Sequence, residues 1–116
     1  MIRKQRVGKL VVKIEAGDDD DFVGVGDRWS AQVDGQVSML VGTPYGLLVA
    51  TTKDVVSRLE TVTGRQCAKY QFDDPIDAII VEGTLVTVRT GTGDTVLLLR
   101  SLRAPKRRLP ARSRAV

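Results

Sequence analysis

The stretch GLLVATTKDVVSRLETVTGRQCAKYQF, residues 46–72, predicts three short strands of one antiparallel sheet. Two apolar runs are separated by polar residues, and a Thr-Gly turn at residues 63–64 leads into the third run. Residues 53–61 are the best helical candidate. Val55, Val56 and the turn that follows favour a strand there, because β-branched side chains fit a pleated, packed surface.

The same pattern recurs along the chain. A Gly followed by an apolar strand returns at spacings of 38 and 37 residues, at Gly8, Gly46 and Gly83. An Asp-led strand follows each of these, at Asp21, Asp54 and Asp94. Glycine supplies a turn conformation that other residues resist, and an Asp side chain can bond its own backbone to hold a turn. With further strands at residues 28–33, 36–42, 65–72 and 75–83, the sequence predicts an all-β, antiparallel fold of ten strands without a helix.

Four strands per unit of roughly 40 residues, with a Gly before the second and an Asp before the third, is typical of propeller blades. Residues 46–70 resemble a WD40-type blade or a looser quinoprotein-like relative. Residues 58–60 stand where Trp-Asp closes the third strand, and residues 63–66 match the Thr-Gly-Lys turn into the fourth. The third strand has no Trp and the chain has no His, so the His–Asp–Trp network of a standard WD40 blade cannot form. Over residues 8–102, the resemblance implies four-stranded antiparallel blades and a protein-binding scaffold.

Strand counting predicts about two and a half blades, whereas propellers close with at least about four. The blade array, residues 8–102, is flanked by a basic N-terminal arm at residues 1–7 and a tail at residues 103–116. The continuous apolar run at residues 96–102 implies burial on both faces, and a lone monomer would leave such faces exposed. We therefore expect other copies of the chain, or partner chains, to complete the fold. The alternative is that the ten strands form a different closed β structure.

Charge is divided between two basic ends and an acidic body. Residues 1–13 carry five bases and residues 103–116 carry six, and neither segment contains an acid. Residues 14–102 carry 14 acids and 7 bases, a net charge of −7. Two prolines and few apolar residues predict a disordered tail. Its bases are candidates for binding a nucleic-acid backbone or an acidic protein surface: Arg103, Lys106, Arg107, Arg108, Arg112 and Arg114. A tail that only keeps the chain in solution is the other alternative.

No pattern of residues predicts catalysis, a metal or a cofactor. The four acids at residues 18–21 lack the alternate spacing and central Gly of a calcium loop, which favours a solvated hairpin loop. Residues 89–95 lack the Gly-Lys-Ser/Thr ending of a phosphate loop, which favours a turn between strands. Cys67 is the only cysteine, so an internal disulfide and a cysteine-based zinc site are excluded. Without a His partner, its thiol is interpreted as incidental.

Two further groups have a structural and a functional interpretation. Asp73, Asp74 and Asp77 flank Pro75, where Asp is expected for turn geometry rather than as an acid–base pair. Trp29, the only Trp, is a candidate for partner binding. Covering a sheet is the commoner role of such a residue.

These observations together predict a non-enzymatic interaction or assembly module that presents β-loops to protein partners and is anchored by its basic ends. No apolar run approaches the ~18 residues of a membrane helix, and the basic start lacks the apolar region of a secretory signal. A cytoplasmic, reducing setting is therefore expected. The alternative is a small all-β nucleic-acid-associated structural protein, such as a ribosomal or virion component, whose basic arms bind the phosphate backbone.

Overall fold

Turns rich in Gly, Asp and Thr divide the chain into eleven strands and three antiparallel sheets in a computed structural model that describes residues 2–105. Sheet 1 comprises β1 (Ile2–Val7), β2 (Leu10–Glu15), β3 (Phe22–Val25) and β4 (Trp29–Gln32). Sheet 2 comprises β5 (Val37–Thr43), β6 (Gly46–Thr51), β7 (Val55–Leu59) and β8 (Gln66–Gln71). Sheet 3 comprises β9 (Ile76–Glu82), β10 (Leu85–Thr90) and β11 (Gly93–Leu98). The all-β class and the antiparallel sheets of three to four strands confirm the prediction.

All ten predicted strands are present, with two differences at the ends of the described chain. Residues 2–7, predicted as an arm, form β1 and pair with β2 from Ile2↔Glu15 to Val7↔Leu10. The last predicted strand ends early, because the chain turns after Leu98. In that turn the Leu102 N–H donates to the Leu98 carbonyl at 2.8 Å, and Leu102 has a φ of 53°.

The repeated glycines are not equivalent in the structure. Gly8 and Gly83 occupy hairpin turns with φ values of 60° and 61°, a region that favours glycine. Gly46 is instead the first residue of β6, after a turn formed by Pro44 and Tyr45. A Cβ on Gly46 would collide with the Leu59 carbonyl oxygen of β7. Glycine is therefore required at 46 both by a φ of 122° and by the close approach of two backbones.

The three sheets form a stack in which sheet 2 lies in the middle. One core cluster joins residues of sheets 1 and 2, and a second joins residues of sheets 2 and 3. Every residue of β6 is buried: Leu47 and Val49 belong to the first cluster, and Leu48 and Ala50 to the second. Burying one such Leu contributes about 1.5–3 kcal/mol, so the middle sheet is stabilised from both sides.

Hydrogen bonds between sheets set their relative positions. A guanidinium nitrogen of Arg3 donates to the Val37 carbonyl at 3.1 Å, which ties β1 to β5. Arg58 on β7 donates to the Tyr45 carbonyl at 2.7 Å and to the Arg100 carbonyl at 2.8 Å. The second of these bonds connects sheet 2 to the segment that follows sheet 3.

Candidate interaction surfaces

The outer face of sheet 3 carries four partly exposed apolar side chains. Strand register places Leu85 opposite Leu98 and Glu82, and Thr87 opposite Val96 and Ile80, so these six residues share one face. We call them the apolar face. Its four apolar members are between 37% and 42% exposed, while Val86, Val88 and Leu97 on the opposite face are buried. The predicted apolar run in β11 is thus buried on one face and open on the other.

The outer face of sheet 1 combines apolar and basic side chains. Register places Ile2 beside Glu15 and Phe22, Lys4 beside Lys13, and Arg6 beside Val11. We call the set Ile2, Lys4, Arg6, Val11, Lys13, Glu15 and Phe22 the basic face, because its three bases outnumber its one acid. Ile2 is 54% exposed, Val11 45% and Phe22 36%. Sequence analysis missed this surface because the charged segment at residues 2–7 was interpreted as an arm. The signal available was the alternation of Lys4 and Arg6, which puts both on one side of a strand.

Trp29 lies where sheet 1 meets the β7–β8 turn of sheet 2. Its indole N–H donates to the Thr61 carbonyl at 2.9 Å, and its ring occupies the space that a side chain on Gly64 would need. Gly64 has a φ of 77°, so glycine satisfies both the turn and the ring. The indole N–H and part of the ring of Trp29 therefore make contacts within the chain. Its role in partner binding stays a prediction.

Of the predicted binding residues in the tail, the structure describes only Arg103. Its side chain is exposed, and its carbonyl accepts a hydrogen bond from the Leu98 N–H at 2.8 Å, beside β11. The other predicted binding residues lie outside the described residues: Lys106, Arg107, Arg108, Arg112 and Arg114. Their roles stay predictions.

The acidic loop before β3 holds sheets 1 and 2 together. Asp21 is 5% exposed, and its carboxylate accepts a hydrogen bond from the Val37 N–H at 2.9 Å. Its backbone exchanges hydrogen bonds with Gly35 and Val33, both at 2.9 Å. The loop was predicted to be solvated, but Asp21 is buried and bonded to the segment between β4 and β5; we call these bonds the clamp. The Asp side chain bonds a distant backbone group rather than its own.

Asp20 adds a more exposed set of contacts to the same clamp. Its carboxylate accepts hydrogen bonds from the Gln32 amide at 2.9 Å and the Gly35 N–H at 2.8 Å, and Lys53 lies 3.4 Å away. These interactions, the Gln32 bond foremost, lower the pKa of Asp20. Both acids that the loop turns inward are therefore engaged with the protein's own donors.

The remaining candidates do not assemble into a catalytic set among residues 2–105. Cys67 is half-buried, with its Sγ 3.6 Å from the Arg65 carbonyl oxygen. Asp74 accepts a hydrogen bond from the Thr92 hydroxyl at 2.7 Å, which ties the turn before β9 to the β10–β11 hairpin. Residues 89–95 form that hairpin, as the turn interpretation predicted. In this same part of the chain, no group of three or more acids, His or Cys is placed to hold a metal ion.

Comparison with known proteins assigns no family: no protein-family model matches the chain, and a search of curated proteins finds no match. In residues 2–105 there is no helix with the length and apolar character needed to cross a membrane.

Proposed function

We propose that this chain is a non-enzymatic assembly module whose sheets act as propeller-type blades, completed by further copies of the chain. One observation carries the proposal. The middle sheet packs a neighbour against each of its faces and buries β6 completely, whereas each terminal sheet leaves a face with partly exposed apolar side chains. Apolar surface of this kind on a small domain is typical of protein–protein contact.

The number of sheets supports completion by copies. Two copies of a three-sheet stack contain six sheets, within the range of about four to eight blades of closed propellers. Each copy would cover the open faces of the other.

The test is the solution mass of the full chain by light scattering after gel filtration, at about 150 mM and at about 500 mM salt. Interactions between surface charges are largely screened at the higher concentration. We expect a mass of two to four copies that persists at high salt, since apolar burial is not screened. A folded monomer at both salt concentrations would contradict the proposal.

A matched pair of variants locates the contact. Val96→Asp places a charge in the apolar face and is expected to give monomers. Val62→Asp places the same charge in the β7–β8 turn of the middle sheet, at a side chain that is 69% exposed, and is expected to leave the mass unchanged. Equal effects of the two substitutions would contradict an interface on sheet 3.

A second candidate function is binding of nucleic-acid backbone, favoured by the basic groups of sheet 1. Lys4, Arg6 and Lys13 share its outer face, and Lys9 lies in the adjoining β1–β2 turn. Several bases that meet phosphates release counterions, so binding weakens steeply with salt. The test is binding to RNA and DNA of arbitrary sequence at several salt concentrations, for the wild type, for a Lys4→Gln/Lys9→Gln variant and for a chain without residues 103–116. Salt-sensitive binding that weakens in the Lys4→Gln/Lys9→Gln variant supports this candidate. Binding that weakens only on deletion, or no binding at low salt, refutes a role for sheet 1.

A further inference from the structure

We infer that the apolar face of one copy docks on the basic face of a second copy, in the same orientation in which the chain stacks its own sheets. The inference rests on the proposed function and specifies its interface. A contact between two different faces is heterologous, so it propagates head to tail and closes into a ring where the rotation permits.

The hairpin turns give a common register for the three sheets. The last strand pairs before the first turn of each sheet are Val7↔Leu10, Thr43↔Gly46 and Glu82↔Leu85. Counted from these pairs, three residues on the second strands are equivalent: Val12, Leu48 and Thr87. The residues directly before them form a second equivalent set: Val11, Leu47 and Val86.

Equivalent residues make equivalent contacts inside the chain. Val12 and Leu47 belong to the core between sheets 1 and 2, and Leu48 and Val86 to the core between sheets 2 and 3. Each sheet thus turns the first equivalent set towards the sheet that follows it, and the second set towards the sheet that precedes it. Thr87 lies on the apolar face, so this face is the side of sheet 3 that a following sheet would cover.

The basic face is the matching side at the other end of the stack. Val11 lies on the basic face and is equivalent to Leu47 and Val86, which pack against the sheet that precedes their own. A second copy that continues the stack therefore brings its Val11 against Thr87 of the first. Both faces would then be covered by the type of contact that is already made twice within one chain.

A specific ion pair follows from the same register. Inside the chain, a Val7 methyl lies 3.1 Å from the position that a Cβ on Gly42 would occupy. Glu82 is equivalent to Val7, and Arg6 is equivalent to Gly42, because each pair has the same place relative to its turn. The contact between copies therefore brings Glu82 of one against Arg6 of the other. Both side chains are exposed, and neither forms an ion pair within residues 2–105.

The other charges of the two faces are compatible with this arrangement. Arg89 and Lys13 approach each other in the same register, but each has an acidic partner of its own. Arg89 lies 3.2 Å from Asp94, and Lys13 lies 3.4 Å from Asp27. Pairing two basic faces would instead oppose like charges, which disfavours that symmetric contact.

The test uses two charge reversals, each alone and then mixed. Glu82→Arg places two basic side chains against each other at this contact, and Arg6→Glu places two acidic side chains there. Each variant alone is therefore expected to self-associate about tenfold more weakly than the wild type. The double variant E82R/R6E restores opposite charges at every contact and is expected to regain wild-type affinity in sedimentation velocity.

Mixing the two single variants tests whether residue 82 of one chain meets residue 6 of another. The apolar face of the Arg6→Glu chain keeps Glu82, and the basic face of the Glu82→Arg chain keeps Arg6, so this contact between the two chains pairs opposite charges as in the wild type. The reverse contact joins the apolar face of the Glu82→Arg chain to the basic face of the Arg6→Glu chain. There the two substituted side chains meet, and they also carry opposite charges. Every contact between unlike chains is therefore favourable, and the mixture is expected to associate about tenfold more tightly than either variant alone.

The outcomes separate this inference from the proposed function. A monomeric wild-type chain refutes both. A wild-type oligomer that is unaffected by either reversal, or a mixture as weak as its components, leaves assembly in place and refutes the head-to-tail contact.

A cross-linking measurement covers the case in which a charge variant misfolds. In a Cys67→Ser background, one chain carries Val11→Cys and another carries Thr87→Cys. We expect disulfides between the two different chains. Cross-links only between identical chains would refute the inference.

Discussion

Replacing Asp21 by Ala tests the clamp between sheets 1 and 2. The substitution removes the carboxylate that accepts the Val37 N–H at 2.9 Å, and Val37 is only 8% exposed, so this donor loses its partner. A buried donor left unsatisfied costs about 1–3 kcal/mol, and we expect the free energy of unfolding to fall by about 2 kcal/mol. With a urea m-value of about 1–2 kcal/mol/M for a chain of this size, the midpoint should fall by about 1–2 M.

Asp19→Ala is the matched control for this measurement. Asp19 lies two residues earlier in the same loop, is exposed, and makes no hydrogen bond among residues 2–105. It removes the same charge, so the difference between the two variants isolates the clamp. Both are measured by urea unfolding at one protein concentration, since assembly would make stability depend on concentration. A difference below about 0.5 kcal/mol would refute the inferred role of Asp21.

Two further predictions concern polar side chains at the sheet contacts. Hydrogen bonds from the Gln32 amide and the Gly35 N–H lower the pKa of Asp20 in the folded protein. The carboxylate therefore stabilises the fold at pH values above its unfolded pKa of about 3.9. This contribution is lost as the pH falls through the lower folded pKa. The stability difference between wild type and Asp20→Asn should shrink between about pH 6 and pH 2.5 in urea unfolding, and a constant difference would be contrary evidence. Ser57 is fully buried and its hydroxyl has no partner among residues 2–105, whereas the buried Thr51 hydroxyl donates to a backbone carbonyl at 2.7 Å. Ser57→Ala should therefore be neutral or stabilising by up to about 1 kcal/mol and Thr51→Ala should lose about 1 kcal/mol, so equal losses in thermal unfolding would contradict this account.

Local signals were sufficient to predict most strands of this fold. Turn residues and β-branched runs are properties of neighbouring residues, and they located ten strands from β2 to β11. β1 was missed because five of its six residues are exposed and its segment is rich in bases. Its pairing with β2 follows from a two-residue turn at Gly8 and Lys9, which fixes the register. The early end of β11 depends on the Leu102 turn, which an apolar run does not reveal.

The surfaces were less predictable than the strands because they depend on contacts between distant residues. Nothing near Asp21 in the sequence indicates that Val37 supplies its hydrogen bond. Trp29 and Gly64 are separated by more than thirty residues, and their fit arises only when sheets 1 and 2 are stacked. The apolar run in β11 was visible in the sequence, but which of its side chains remain open depends on which face meets sheet 2.

The shared turn register of the three sheets bears on how chains of this kind change through gene duplication. Sheet 2 already packs one neighbour against each of its faces, so copying a unit of about 37 residues would add a sheet without a new type of contact. A segment too short to form a sheet would instead leave its apolar side chains uncovered. Selection on such a chain therefore favours growth and loss in whole sheets, with new specificity arising at the two terminal faces.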